Sequence, residues 1–542
     1  MTGTSIAPTA SLRTHSHDDT SSADTFAARF AASKRSRRAS MAAMTQAMPA
    51  HHATSPPLGS GGLHTVRDLP ETHYLAAQHA DLRALPQAST SKTPYGPSTP
   101  DVRSRWSTRP DTSSTASADF DVDVRSGFLP PQEPIQRLLG ELEDWELALD
   151  AREGMRYGGA AFSIEAAEAW RTGIRSMPVL SVTNLSTLPL LRRAHVVLSF
   201  LGHAYIHSTF PSGNVVPASI AVPWVEVSER LDMPPILTYA DTVLWNWRFK
   251  DPSRGWQADN FEISQTFTGS KDEEHFFLTS LLCELRGVPA LRLMSHCLDE
   301  AWLGDAVAKT RITRNLDDLV TIVESISQTI IDVRTDCAPH AFYFEIRPWF
   351  VGGLWTYEGV QSHLGLREVR EYGGPSAGQS SLIHSLDVFL GVDHSARPEP
   401  VIQRLNAASR PPPADKESTF MHRMAFYMPQ HHRQFLSHLQ SHPRSVRELA
   451  LADMIDPASA DLRKSYDRVV QSLKGLRSAH MNIVTLYIIT QSRALPPPGS
   501  KLLPPPVVAK AEQELKGTGG TELVRFLKMC RDRTVEALLI KQ

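Results

Sequence analysis

Val469, Leu473, Leu476, His480, Ile483, Val484 and Tyr487 recur at three- and four-residue steps near the end of the chain. That spacing sets them on one face of a helix, so a single imidazole stands in an otherwise apolar stripe. Two uses suit such a histidine. Its nitrogens can bond backbone carbonyls within a core, or a neutral imidazole can project from a rigid helix as the axial ligand of a haem iron. A second group, Phe342, Tyr343 and Arg347, lies in AFYFEIRPWF. Helical spacing of four or five brings aromatic rings and a guanidinium to one wall, able to stack on a ring and clamp a carboxylate by two parallel bonds. An amino acid carries both features; the competing use of Arg347 is an ion pair at a helix end.

Two glycine-rich pieces, GGPSAGQSS (Gly373 to Ser381) and KGTGGT (Lys516 to Thr521), each precede an apolar helical pattern. Exposed amides at a helix start can hold a carboxylate or propionate, glycines can serve a lid that excludes water, or they can simply turn the chain. A phosphate loop is excluded, because neither piece ends in GK[ST] or follows a strand pattern. His431, His432, His438 and His442 gather in one stretch. They lack the acidic residue of HExxH and sit on a polar face, so no metal site is expected there.

The elements that must position these groups read as helices from residue 121 onward. Apolar runs or helical spacing mark Thr187 to Tyr205, Leu231 to Trp247, His275 to Met294, Leu316 to Arg334, Ser380 to Gly391, Met421 to Gln440, Leu462 to Ser492 and Thr521 to Ile540. Strand-like alternation is scarce, so the expected class is all-α. Proline runs at Pro411 to Pro413, Pro496 to Pro498 and Pro504 to Pro506 mark surface loops.

Composition divides the 542 residues near position 120. The first 120 hold 34 Ser or Thr but only 16 Ile, Leu, Val, Phe, Trp or Tyr, too few to offset the entropy of ordering them. A disordered leader is expected, with Lys34, Arg35, Arg37 and Arg38 as its basic run. Asp18, Asp19 and Asp24 fall where a mitochondrial presequence is acid-poor, and no apolar core of a secretion signal is present. Cytoplasmic placement follows, with organelle import the minor alternative. The chain's 56 basic and 58 acidic residues give a net charge of −2, no field for gripping nucleic acid. No stretch has the ~18 apolar residues of a membrane helix. Cys283, Cys297, Cys337 and Cys530 show no CxxC spacing, which fits a reducing compartment without a disulfide framework or cysteine zinc site.

Taken in order, these segments resemble the indoleamine 2,3-dioxygenases, monomeric haem enzymes that open the indole ring of tryptophan. The likeness begins at GFLPPQEPIQRL (Gly127 to Leu138) and continues through SFLGHAYIHS, NVVPASIAVPWVEVSERLDMPPILTYADTVLWNWRFKDP, FFLTSLLCE, GGPSAGQSSLIHSLDVFLG, FYMPQHHRQFL, LRSAHMNIVTLYI and GTGGTELVRFLK. The resemblance implies a two-domain all-α fold: residues 121–268 as a small helical domain contributing to the distal pocket, and 269–542 as a large haem-binding domain. It places the proximal iron ligand at His480, supported by Asp387 and Arg477. On the distal side it implies Tyr239, Val243, Phe276, Ser280, Phe342, Tyr343 and Arg347, the last binding the substrate carboxylate. Ala377 and Gly378 would lie near the haem edge, and Thr518 would close over the amino-acid end.

The implied cofactor is one haem b per chain, with dioxygen as co-substrate, L-tryptophan or a related indoleamine as substrate and N-formyl-kynurenine as product. This is the first step of the kynurenine pathway towards NAD, and it requires a reductant for ferric haem. The matched residues include no distal histidine or carboxylate, so no strong general base is expected. Three departures bear on substrate range: Tyr343 where animal members usually have Phe, Thr242 where they have Cys, and the extra Pro375. The rival reading is a non-catalytic or weakly active haem protein that binds oxygen, against which the carboxylate clamp Arg347 argues.

Overall fold

The computed structural model describes residues 120–152, 164–209, 212–361, 367–394, 420–452, 456–494 and 523–540. The leader before Phe120, Thr518 with the rest of its glycine piece, and the three proline runs lie outside the described residues. Phe120, grouped with the leader by composition, is buried and meets Phe435 edge-on.

Five helices set the frame: α1 (Leu188–His207), α2 (Lys271–Leu303), α3 (Ala306–Asp332), α4 (Ser381–Phe389) and α5 (Pro457–Val484). Local chemistry fixes their ends. Ser270 caps α2 by accepting from the Glu273 amide, and Gly304 ends it in the left-handed region at φ 68°. Asp305 then caps α3 by accepting from the Ala308 amide at 2.7 Å, so two long helices are joined by a two-residue reversal. Asp456 caps α5 with Pro457 in its first turn, where a missing amide costs nothing. The buried stripe Ile312, Leu316, Leu319, Val323 and Ile326 of α3 follows the three- and four-residue period. With that stripe inward, α3 packs along both α2 and α5.

Two expected helices are broken in the structure. The segment Leu231 to Trp247 is not continuous: a helix over Ala218–Leu231 ends there, Asp232 takes φ 50°, and Pro234 and Pro235 remove two backbone donors. Only Ala240–Leu244 coils again, as a π-helical turn, before Trp247 opens a strand. Met421 to Gln440 likewise divides into Phe420–Ala425 and Gln430–Gln440, interrupted before Pro429.

Small sheets supplement the helices. Strand β1 (Val215–Val216) runs parallel to β4 (Gly353–Gln361), which pairs antiparallel with β5 (Arg367–Tyr372); β2 (Trp247–Phe249) and β3 (Phe261–Ile263) form a separate antiparallel pair. The β4–β5 hairpin escapes a strand reading of the sequence because its exposed Leu354 and Val369 blur the alternation of a half-buried strand. The protein is nevertheless mostly helical, as expected. One apolar cluster extends from Leu129 to Cys530. No described helix is long and apolar enough to cross a membrane.

Candidate active site

A cavity of about 250 Å³ opens between α2, α3, α4 and α5. Its walls are apolar where Phe276 and Phe277 of α2, Ile326 and Ile330 of α3, and Ile483 and Val484 near the end of α5 face inward. Three π-helical turns border it, at Ala240–Leu244, Phe342–Ile346 and Thr485–Ile489. Such turns rotate side chains off the regular helical register, and here they present Val243, Phe342 and Tyr487 to the cavity.

His480 lines this cavity from α5. Among the described residues its imidazole has no hydrogen-bond partner, so the core-histidine use, with nitrogens bonded to carbonyls, is not what the fold provides. Burial, then the positive charge of Arg477, pushes its pKa down to about 4. The ring is therefore neutral at neutral pH and has a lone pair to give. One turn earlier, Arg477 Nη2 donates to both oxygens of Asp387 at 2.7 Å, and its Nη1 reaches Thr534. His394 Nε2 donates to the same carboxylate at 2.9 Å. Burial alone would raise the Asp387 pKa, but Arg477 and His394 outweigh it and hold the carboxyl well below the usual range.

The structure brings Tyr239, Val243, Phe276, Ser280, Phe342, Ala377, Gly378 and His480 to this one cavity. Phe276 and Phe342 meet with ring centroids 4.6 Å apart, and Phe342 meets Tyr487 at 5.8 Å. Asp387 and Arg477 stand behind it as a buried pair. Tyr343 and Arg347 occupy the same chain turn as Phe342 but are outside the cavity lining; the Arg347 guanidinium lies 5.4 Å from the Tyr343 ring. Both are half-buried, and burial lowers the Arg347 pKa without threatening its charge.

The glycine piece before α4 acts chiefly as a turn. A side chain at Gly374 would place its Cβ 1.7 Å from the Phe350 carbonyl oxygen, so two backbones meet where only glycine fits. Gln379 completes the turn, accepting from the Tyr239 amide at 2.8 Å and donating to the Gly374 carbonyl at 3.0 Å.

Glu284 is the group that sequence reading missed. It lines the cavity while only 3% exposed, and its Oε1 accepts from the hydroxyls of Tyr239 at 2.9 Å and Ser380 at 2.7 Å. Burial raises its pKa to about 7, against the opposing pull of those two hydrogen bonds. The signal was present: Phe276, Ser280 and Glu284 follow one another at four-residue steps, so a cavity-lining face carries on to the acid.

A family model described as Indoleamine 2,3-dioxygenase matches residues 116–537. The chain is 33% identical to the indoleamine 2,3-dioxygenase of Saccharomyces cerevisiae over 402 residues, covering 68% of this chain and 84% of the relative. It is 34% identical to the mouse (Mus musculus) indoleamine 2,3-dioxygenase 1 over 380 residues, 68% and 85% of the two chains. A 6-hydroxytryptophan 2,3-dioxygenase of Fusarium equiseti matches at 29% over 433 residues, 77% and 97%. The chain therefore belongs to the indoleamine 2,3-dioxygenase family of haem-dependent oxidoreductases.

Proposed function

We propose that the cavity binds haem b through His480 and that the enzyme inserts both atoms of dioxygen across the C2–C3 bond of L-tryptophan. N-formyl-kynurenine is the product, which opens the kynurenine route to NAD. The observation that carries this reading is the neutral imidazole of His480, without a hydrogen-bond partner among the described residues and facing an apolar cavity, backed by the buried Arg477–Asp387 pair. Among the described residues no group of three His, Cys, Asp or Glu side chains could hold a bare metal ion. A lone imidazole suits an iron whose other ligands arrive with a macrocycle. When bound, the haem supplies the ferrous iron at which dioxygen is activated.

The remaining work falls to the protein. His480 would hold the iron, and Asp387 with Arg477 fixes the helix turn that presents it. Phe276 and Phe342 would pack the indole, Ala377 and Gly378 would help hold the haem, and Tyr239, Val243 and Ser280 would close the wall of the cavity. Arg347 clamps the carboxylate, with Tyr343 beside it. Ser280 donates to the Phe276 carbonyl at 3.5 Å, so it is an auxiliary wall group. Residues 121–268 then serve as the smaller domain and 269–542 as the haem domain of a cytoplasmic monomer, served by a separate reductant. Holding the indole in place and excluding water are what the protein would contribute to the rate.

Purified protein reconstituted with haem should show a Soret band that shifts on adding L-tryptophan. Under ¹⁸O₂ with a reductant it should form N-formyl-kynurenine carrying two labelled oxygens. A Soret band with no labelled product would leave an oxygen-binding haem protein instead, and no band at all would remove the haem reading.

A further inference from the structure

We infer that His195 is a positioning residue for the substrate pocket: through Asp241 it fixes the π-helical turn Ala240–Leu244 that forms part of the cavity wall. The inference rests on the tryptophan-binding reading above and goes beyond the residues that line the cavity to one that sets their placement.

His195 lies on α1, outside the cavity lining, and both it and Asp241 are fully buried. A carboxylate only accepts, so His195 Nδ1 donates to Asp241 Oδ1, at 2.6 Å. Ser199, one turn along α1, stands farther off, its hydroxyl 3.3 Å from the same nitrogen. The other ring nitrogen, Nε2, has no hydrogen-bond partner among the described residues. The bond to Asp241 is therefore the principal polar contact of the ring. Trp224 and Trp245 meet the ring edge-on at centroid distances of 6.4 and 6.3 Å and hold its plane.

The second oxygen of Asp241 accepts from the amide and the hydroxyl of Thr238 at 2.8 and 2.7 Å. Asp241 thus ties α1 to the start of the turn, and the next two residues, Thr242 and Val243, face the cavity. Gln379 holds the same segment independently, accepting from the Tyr239 amide. A π-helical turn is a rare local conformation, so tertiary anchors of this kind decide whether it persists. Without His195, Asp241 Oδ1 becomes a buried acceptor with no donor. The turn escapes that penalty only by moving, and its movement carries Thr242 and Val243 with it.

The test uses haem-loaded His195→Leu and His195→Asn, the second keeping a donor where Nδ1 stands. Two readouts are compared: kcat/KM for L-tryptophan, and the infrared stretch of bound carbon monoxide, which senses the wall around the ligand. In His195→Leu the stretch should shift or split, and kcat/KM should fall at least about tenfold, because a displacement of about 1 Å can cost a hundredfold. His195→Asn should return both towards the unaltered protein. A leucine variant with an unmoved stretch and kinetics within about twofold overturns the inference, as does an asparagine variant no better than leucine. Should the leucine variant fail to fold, Thr238→Val, which deletes one donor to the same carboxylate at nearly constant shape, carries the test. It should move both readouts in the same direction by less, and no movement overturns the inference. Unaltered protein that does not turn over L-tryptophan sinks the parent reading, whereas the carbon monoxide stretch needs only the haem and still decides the role of His195.

Discussion

Arg477 and Asp387 form a buried, two-pronged ion pair, one guanidinium nitrogen lying 2.7 Å from each carboxylate oxygen. Both side chains are less than a tenth exposed. Removing one partner from such a pair strands the other charge out of water, which costs about 3–5 kcal/mol. Asp387→Ala should therefore lower unfolding free energy by that amount in denaturant titration. Arg468→Ala, which breaks the exposed pair with Asp317, should change it by no more than about 1 kcal/mol. Equal effects from the two substitutions would show that the Asp387 pair is not desolvated in solution.

His480→Ala should fold, since the residue makes no hydrogen bond among the described residues, yet lose stoichiometric haem. Circular dichroism separates folding from loading, and an unchanged Soret band in the variant would move the ligand elsewhere.

Arg347→Ala should raise the KM for L-tryptophan by about a hundredfold or more, because two charge-assisted bonds are lost at roughly 1.5–3 kcal/mol each. Carbon monoxide binding and haem content should persist. Lysine at this position should recover only part, lacking the planar fork. Unchanged kinetics would mean that another group holds the carboxylate, and the distal assignments would fall with it.

Acid should weaken the fold through histidines that bury in neutral form. His207 and His384 have their pKa values lowered to about 4, chiefly by burial, against 6.5 in the ordinary range. Each donates from Nε2 to a carbonyl, of Val351 and Gly378 respectively. The unfolded chain binds their protons first, so their contribution is full above about pH 6.5 and is lost as pH falls through 4. Glu284 has the opposite sign: its contribution is full below its ordinary pKa and lost as pH rises through about 7. Urea midpoints measured from pH 4 to pH 8 should rise across the histidine window. His207→Gln should flatten that rise, and an unaltered slope would rule His207 out of it.

Gly374→Ala should cost about 1–3 kcal/mol by forcing two backbones apart at Phe350. Gly475→Ala is the control: nothing lies within 4 Å of its added Cβ, and mid-helix alanine should add about 0.5–1 kcal/mol of stability. Melting temperatures that move in the same direction for both would contradict the close approach seen at Gly374.

The sequence by itself determined the helical class, the stripe that carries His480 and the family, because three- and four-residue periodicity and long ordered motifs are local and survive without coordinates. It could not determine where those helices stop. Pro234, Pro235 and Pro429 interrupt apolar runs whose period alone continues through them. Nor could spacing bring Phe342 to Phe276 across 66 positions, or Asp387 to Arg477 across 90. Those meetings depend on how α2, α4 and α5 pack. Glu284 shows the difference most plainly: on the sequence it is one charged residue on an amphipathic helix, free to face water. Only the packing of Tyr239 and Ser380 over it makes it a buried acid.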